Sequence, residues 1–406
     1  ISLIIPLLFF VSFNAQGIEE VNSEYLQDKN IDSLKSEPIF RVISENHSLE
    51  LEKLLVQDFQ GRIIPFHTLA DQILRKVSRS NKYRDFNAIQ TIISMHMYPE
   101  YWMEIPIIHV SRKSSLRQDL GMESNLISYN DLTNDEGQFK LSSEYARAHQ
   151  MLESQRGEYE KRLIKMVERY QVVQSIFNWN YMKILPLYDD PNNTWYVPMD
   201  MSLMEKDSIS SVIALTYLKE LDNGAKLGSF SKATEYLNEL KKFQKNLGKD
   251  IVPSERRIEM EVSYNKMNVF KNSFRCYLFL GLIMLLLFFV KIFVYQKKIA
   301  EKIFRYSSIV LIFFIGLIFL YHGYGIYLRW NISGHAPWSN GYEAVIFIAW
   351  ISMLFGLIFS KKNPAIIAGT ATLASLMIYV TEMNLMDPDI TPLQPVLKSY
   401  WLMIHV

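Results

Sequence analysis

The sequence predicts a mainly α-helical protein: an external helical domain with a short β-hairpin, followed by a polytopic bundle of transmembrane helices. Three observations lead there. Roughly the first two thirds of the 406 residues are polar and charged and the last third is mostly apolar, although average hydropathy is near zero. The apolar part divides into four stretches long enough to cross a bilayer, which needs about 20 residues of helix. The polar part shows helical spacing of apolar residues with few strand signals. Residues 1–16 are read as a truncated transmembrane or signal-like segment, 17–270 as the external domain and 271–406 as the start of a membrane domain.

Composition removes several function classes. Lys plus Arg number 43 against 42 Asp plus Glu, a net charge of +1. No basic tract is sustained outside the membrane flanks, so no nucleic-acid partner is expected. The single cysteine, Cys276, rules out an intrachain disulfide framework and a cysteine-based zinc site. The chain starts on Ile1 and stops as a new apolar segment begins, which reads as an internal fragment of something longer.

In order, Ile1 to Phe13 is apolar, but thirteen helical residues reach only about 20 Å. Its acidic exit at Glu19 and Glu20 favours an external position for the polar domain. Leu54 to Phe66 reads as two short strands around a turn, Thr68 as the cap of a helix to Ser78, and Asn87 to Met97 as a second helix. Ser142 to Asn178 reads as one helix with a heptad seam through Tyr145, His149, Leu152, Arg156, Tyr159, Leu163, Met166, Tyr170, Val173 and Phe177. Arg156 interrupts the seam, so a helix packed within the domain is expected and not a long dimeric coiled coil. Helices are expected again at 206–221 and 230–247, separated by Asp222-Asn223-Gly224. Ser254 caps a helix that could run unbroken to Lys297 and enter the bilayer.

The spans are placed at about 274–295, 309–328, 344–359 and 364–383, with a further one starting at Tyr400. The third reaches membrane length, 342–360, if Tyr342 and Glu343 form its first turn. Lys297, Lys298, Lys302 and Arg305 come after the first span, and Lys361 and Lys362 after the third. The opposite loops carry Arg329 and Lys398 only, so the positive-inside rule puts the large domain, the Gly334–Glu343 loop and His405 together outside.

Four residues are candidates for chemistry. His405 comes after Tyr400 and Trp401 where the external loop re-enters apolar sequence. Its imidazole could ligate haem iron with the Tyr400 and Trp401 rings covering the porphyrin edge, or belong to an ordinary interfacial aromatic belt. His335, between Gly334 and Pro337, is either a metal or haem ligand or a solvated turn residue. His322 lies inside the second span, as a ligand for haem in transit, a snorkelling group or a helix–helix hydrogen-bond former. Glu343 suits the positive end of a helix dipole. His149 is assigned to packing, and the other histidines of the polar part lack metal-site spacing. No phosphate-binding Gly-rich loop, zinc-protease motif or nucleophile elbow is present, so any activity needs a cofactor, a partner or further chain.

Gly334-His335-Ala336-Pro337-Trp338-Ser339-Asn340-Gly341-Tyr342-Glu343, followed by Ile346-Phe347-Ile348-Ala349-Trp350, resembles a signature of the CcsA (ResC-like) cytochrome c biogenesis family. Pro392 through Val406, with Ser399, Trp401, Leu402 and His405, resembles a second one. Val56 to Arg62 and Thr68-Leu69 look like the region ahead of CcsA in fused ResB–CcsA proteins. The resemblance implies haem delivery to the external membrane face and thioether attachment to the Cys-x-x-Cys-His segment of apocytochrome c. It makes haem (b-type, as bound substrate) the ligand and His405 an axial ligand of its iron. The implied setting is the bacterial cytoplasmic membrane, and the implied partners are apocytochrome c, the remaining ResB and CcsA segments, thiol-reducing proteins and lipid. The family's tryptophan-rich segment and second external histidine have no match here, so a fragment of a haem lyase, inactive alone, is expected. A haem exporter without ligation activity and a membrane-anchored sensor or scaffold are the other readings.

Overall fold

The computed structural model describes residues 41–111, 115–187, 190–248, 251–293, 298–360 and 363–392. The apolar segment at 1–13 and the stretch containing Trp401 and His405 lie outside the described residues.

Ser44 accepts from the His47 amide and starts α1 (Glu45–Leu51). The expected hairpin comes next, β1 (Leu55–Gln57) antiparallel to β2 (Ile63–Pro65), with Val56 opposite Ile64. Asp58 closes its turn by accepting from the amides of Gln60 and Arg62, each at 2.8 Å, and Gly61 supplies the positive φ of 81°. Helix α2 (Phe66–Ser78) begins three residues earlier than expected, directly after Pro65. Thr68 is therefore inside the helix and not its cap; its hydroxyl instead accepts from Asn265 at 2.8 Å. Phe66, Leu69, Ala70, Ile73, Leu74 and Val77 form the buried stripe of this helix.

A second hairpin, β3 (Lys82–Tyr83) and β4 (Phe86–Asn87), leads into α3 (Ala88–Met97), which Asn87 and Gln90 start with a reciprocal capping box. Then come short α4 (Pro99–Met103), β5 (Ile108–His109), α5 (Leu116–Asp119) and β6 (Leu126–Ile127), with β5 paired to β6.

The long helix expected from Ser142 is two: α6 (Ser142–Gln150) and α7 (Glu158–Phe177). Arg156 makes the break by turning its guanidinium back onto the carbonyls of Ala148 and His149, at 3.0 and 3.1 Å, which ends α6. The heptad seam holds only in α7, where Leu163, Met166, Tyr170 and Val173 are buried against α2 and α3. His149 is exposed and Leu152 is 67% exposed, so neither is a packing residue.

A fourth hairpin pairs β7 (Leu185–Pro186) with β8 (Trp195–Tyr196), so the described residues hold four small hairpins where one was expected. Next come α8 (Met201–Lys206), α9 (Ser208–Leu227) and α10 (Ser231–Leu247). Helix α9 runs through Asp222-Asn223-Gly224 without breaking. The bare Cα of Gly224 accepts the Phe230 ring, which would lie 2.6 Å from a Cβ there, and the Asp222 carboxylate accepts from Tyr98 at 2.7 Å. Packing thus overrides local turn chemistry, and the helix ends at Gly228 in the left-handed region.

Ser254 caps α11 (Glu255–Met267) as expected. The continuation into the membrane is interrupted at Asn268, whose φ of 45° and ψ of 48° are left-handed, a conformation asparagine tolerates better than most residues. The bundle then comprises α12 (Val269–Phe293), α13 (Lys298–Ser333), α14 (Gly341–Ser360) and α15 (Pro364–Val380), which a π-turn extends to Leu385. All four are long and apolar enough to cross a membrane. Helix α15 is the centre, with α12 and α14 packed along it. Gly356 seats Thr370 so closely that a Cβ would lie 2.8 Å from the Thr370 Cβ. Phe279, Leu286, Phe313 and Leu320 are exposed, as suits groups facing hydrocarbon. At 36 residues, α13 is about 54 Å long and outruns a hydrocarbon core of about 30 Å.

Candidate functional site

One end of the bundle carries an unusual density of polar contacts. It gathers the last turns of α13, the 334–340 loop, the start of α14, residues 386–392 and one side of α11 and α2.

Its centre is the ion pair between Arg329 and Glu343, with Nε 2.7 Å from Oε1 and both side chains about 1% exposed. Arg329 also donates to the carbonyls of Pro388 (2.7 Å) and Asp389 (3.0 Å) and to the Tyr264 hydroxyl (3.3 Å). Its guanidinium carbon stands 5.0 Å from the centre of the Tyr342 ring. Glu343 uses its second oxygen to accept from the Ser339 amide at 2.9 Å, while the Asn340 side chain caps the Glu343 amide at 2.8 Å. A charge pair taken from water is net stabilising only when its remaining donors and acceptors are satisfied, and here they are. Glu343 thus does more than favour a helix dipole: it ties two membrane helices and the 386–392 segment into one unit.

The motif loop is built around this pair. Gly334 turns out of α13 at φ 75°. His335, half-buried, engages both ring nitrogens: Nε2 donates to the Thr391 carbonyl at 3.3 Å, and Nδ1 lies 3.2 Å from the Ala336 carbonyl and 3.1 Å from the Ser339 hydroxyl. It clamps the loop to the residues that lead toward Trp401 and His405. Ligation of a metal by His335 would require one of these contacts to open.

Further contacts fasten the helical domain to the same end. Arg62 meets Glu261 at 2.5 Å and Arg75 meets Asp389 at 2.6 Å. Arg257 donates to the Ile332 carbonyl at the end of α13, through Nε at 2.7 Å. A cavity of about 140 Å³ remains between these groups, lined by Arg62, Asp71, Arg75, Tyr342, Glu382 and Asp389 among others. Burial raises the Asp389 pKa to about 6, against the pull of Arg75 and with the Asp387 charge adding to the rise. Burial also raises the pKa of Asp71.

His322 lies one helical stretch deeper on the Arg329 side of α13. It is fully buried among Phe270 (ring centres 5.5 Å apart) and Tyr277 (5.9 Å). It approaches the Ile346 backbone, but neither ring nitrogen reaches hydrogen-bonding geometry with any described residue. With the ring 0% exposed, snorkelling is not what it does in this conformation.

The loop and His335 are legible in the sequence as site residues, whereas Arg329, Tyr264, Arg75 and Asp389 are not. Arg329 has a readable signal: it is a lone charge at the end of an apolar helix, and Glu343 opens the next one.

Residues 338–406 match the family model described as Cytochrome C assembly protein. The chain is 30% identical over 365 residues to Protein NrfI of Wolinella succinogenes, an alignment covering 89% of this chain and 40% of NrfI. It is 36% identical over 83 residues to Cytochrome c biogenesis protein CcsA of Chlorella vulgaris, covering 20% of this chain and 26% of that protein. The CcsA protein of Synechococcus sp. strain CC9311 is 41% identical over 83 residues, 20% of this chain and 27% of the relative. The chain therefore spans well under half the length of these relatives.

Proposed function

From the cytochrome c assembly domain at its C-terminal end, we propose that this chain is the part of a multi-pass membrane protein that presents haem at the external face for attachment to apocytochrome c. In this reading the chain is a segment of a longer, ResB–CcsA-type protein of the bacterial cytoplasmic membrane, and haem is its cargo. The observation that carries the proposal is the polar lock around Arg329 and Glu343. It fixes the loop that resembles the CcsA signature and pins residues 386–392, the approach to Trp401 and His405, against the same end of the bundle.

Sidedness rests on charge. Lys302 and Arg305 stand at the end of the bundle away from the helical domain, and Lys361 and Lys362 follow α14 directly in sequence. At the polar end Arg329 is neutralised by Glu343, so it does not offset that bias. The helical domain, His335 and His405 then face the non-cytoplasmic side.

The work asked of the protein is positioning. His405 supplies an imidazole to the haem iron and Trp401 an aromatic wall, while the vinyl groups of haem and the two thiols of a Cys-x-x-Cys-His segment supply the reacting atoms. Holding the cargo in one orientation converts a bimolecular encounter into a near-attack arrangement. His335 acts in this scheme as a clamp on the approach to His405, and His322 as a group inside the bundle. The remaining ResB and CcsA segments complete the site, and a thiol-reducing protein keeps the substrate cysteines free.

The test is His405→Ala in the full-length protein, read by pyridine haemochrome on a co-expressed Cys-x-x-Cys-His reporter. Covalent haem is expected to fall to background and to recover partly with added imidazole. Wild-type levels of covalent haem in the variant would remove His405 from the site.

A further inference from the structure

We propose that Ser273, Tyr277 and His322 form an internal water-binding site in the helix bundle, reached from the polar cavity past Phe270 and Tyr342. The site goes beyond haem presentation and does not depend on it.

Four side-chain atoms carry the inference. The Ser273 hydroxyl, the Tyr277 hydroxyl and both nitrogens of His322 are buried and meet no hydrogen-bonding partner among the described residues. All three residues are 0% exposed. Ser273 and Tyr277 are four residues apart on α12 and so share a face. Tyr277 faces His322 of α13 with ring centres 5.9 Å apart and planes tilted by 57°. An uncompensated polar atom in a buried site is destabilising, and hydrocarbon offers no substitute partner. Four together call for a bound molecule that both donates and accepts. Water does so in all directions, and buried waters typically make about three hydrogen bonds to groups of this kind.

The supply route is short. Phe270 and Tyr342 line the polar cavity, and the Phe270 ring stands edge-on to His322 at 5.5 Å and to Tyr342 at 6.3 Å. One layer of rings separates the cavity from the imidazole. That layer sits close because Gly325 has no side chain: a Cβ there would lie 2.6 Å from Val269 Cγ1 and 3.2 Å from Phe270. His322 is eleven residues from the end of α13, about 16 Å along the axis. The water provides a hydrated, proton-exchanging point at that depth, beneath the Arg329–Glu343 lock.

The experiment is radiolytic hydroxyl labelling of the full-length protein in lipid nanodiscs, read residue by residue by mass spectrometry. Bound water generates radicals in place, so Tyr277 and His322 are expected to oxidise at short exposures despite their burial. Met284 and Met353, 1% and 0% exposed in the same bundle and intrinsically more reactive, are the dry controls and are expected to stay unmodified. The Ser273→Ala/Tyr277→Phe double variant is expected to lower His322 labelling several-fold. Tyr277 and His322 as inert as the two methionines in the wild-type protein would overturn the proposal, whether or not the variant folds. So would unchanged His322 labelling in the folded variant, or a Soret band lost in His322→Phe from a protein whose Tyr277 never labels.

Discussion

Replacing Arg329 by Met removes the charge and keeps an unbranched side chain in its place. Four donor contacts disappear: those to the Glu343 carboxylate, the Pro388 and Asp389 carbonyls and the Tyr264 hydroxyl. Glu343 keeps the Ser339 amide but becomes a buried, unpaired carboxylate. Breaking one side of such a pair costs about 3–5 kcal/mol, two to three and a half decades in the unfolding constant at about 1.4 kcal/mol per decade. Glu343→Leu leaves the guanidinium unpaired and is expected to fall in the same range. The double variant Arg329→Met/Glu343→Leu leaves no orphan charge, so its loss is expected to be smaller than the sum by about 2–3 kcal/mol, the upper range for directly bonded neighbours. The assay is reversible unfolding in lipid nanodiscs, with proteolysis between residues 386 and 392 as a local readout of the released segment. Single variants that add to within about 0.5 kcal/mol in the double variant would refute the reasoning.

Three further expectations concern other links in the chain. Burial lowers the pKa of His47 to about 4, with the Lys241 charge adding to the effect, and burial lowers that of His96 to about 4. Both rings bind a proton more readily unfolded, near pH 6.5, so their stabilising contribution is full above that value and declines as pH falls toward 4. His47→Asn is expected to flatten the acid limb by one proton in the stability–pH curve; an unchanged slope would contradict the buried neutral ring. Asn268→Ala places a β-carbon residue without a side-chain hydrogen bond in the left-handed kink and is expected to cost about 1 kcal/mol, whereas Asn268→Gly should be near neutral by thermal unfolding. Gly356→Ala pushes a methyl group onto Thr370 and is expected to cost about 1–3 kcal/mol with loosened α14–α15 packing, seen as faster amide exchange in both helices.

The elements that can be read from sequence are those whose signal is local and whose tertiary setting agrees with it. The β1–β2 turn carries Asp58 and Gly61, α3 carries its Asn87 and Gln90 box, and each span holds an apolar window of membrane length. The misreadings occur where distant contacts decide. Arg156 reads as a blemish in a heptad and is the group that ends α6. Gly224 reads as a turn and is the seat of an aromatic ring. Asn268 gives no sign of a kink because asparagine is also an ordinary helix-surface residue. The candidate site divides in the same way. Its loop is legible from the density of Gly, Pro, His and aromatic residues between two apolar runs. Its lock is not, because Arg329, Tyr264 and Asp389 come from three separate regions that only the fold brings together. His322 stands out by type, but its isolation from any described partner depends on the arrangement of α12 and α14 around it.

Sidedness is the claim on which haem presentation depends, and impermeant maleimide labelling of intact cells tests it most directly. In a Cys276→Ser background, single cysteines are placed at Trp338, on the exposed part of the motif loop, and at Lys302, at the other end of α13. Trp338→Cys is predicted to react without permeabilisation and Lys302→Cys only after it. The reverse pattern would put His335, the helical domain and the approach to His405 in the cytosol and contradict external haem presentation.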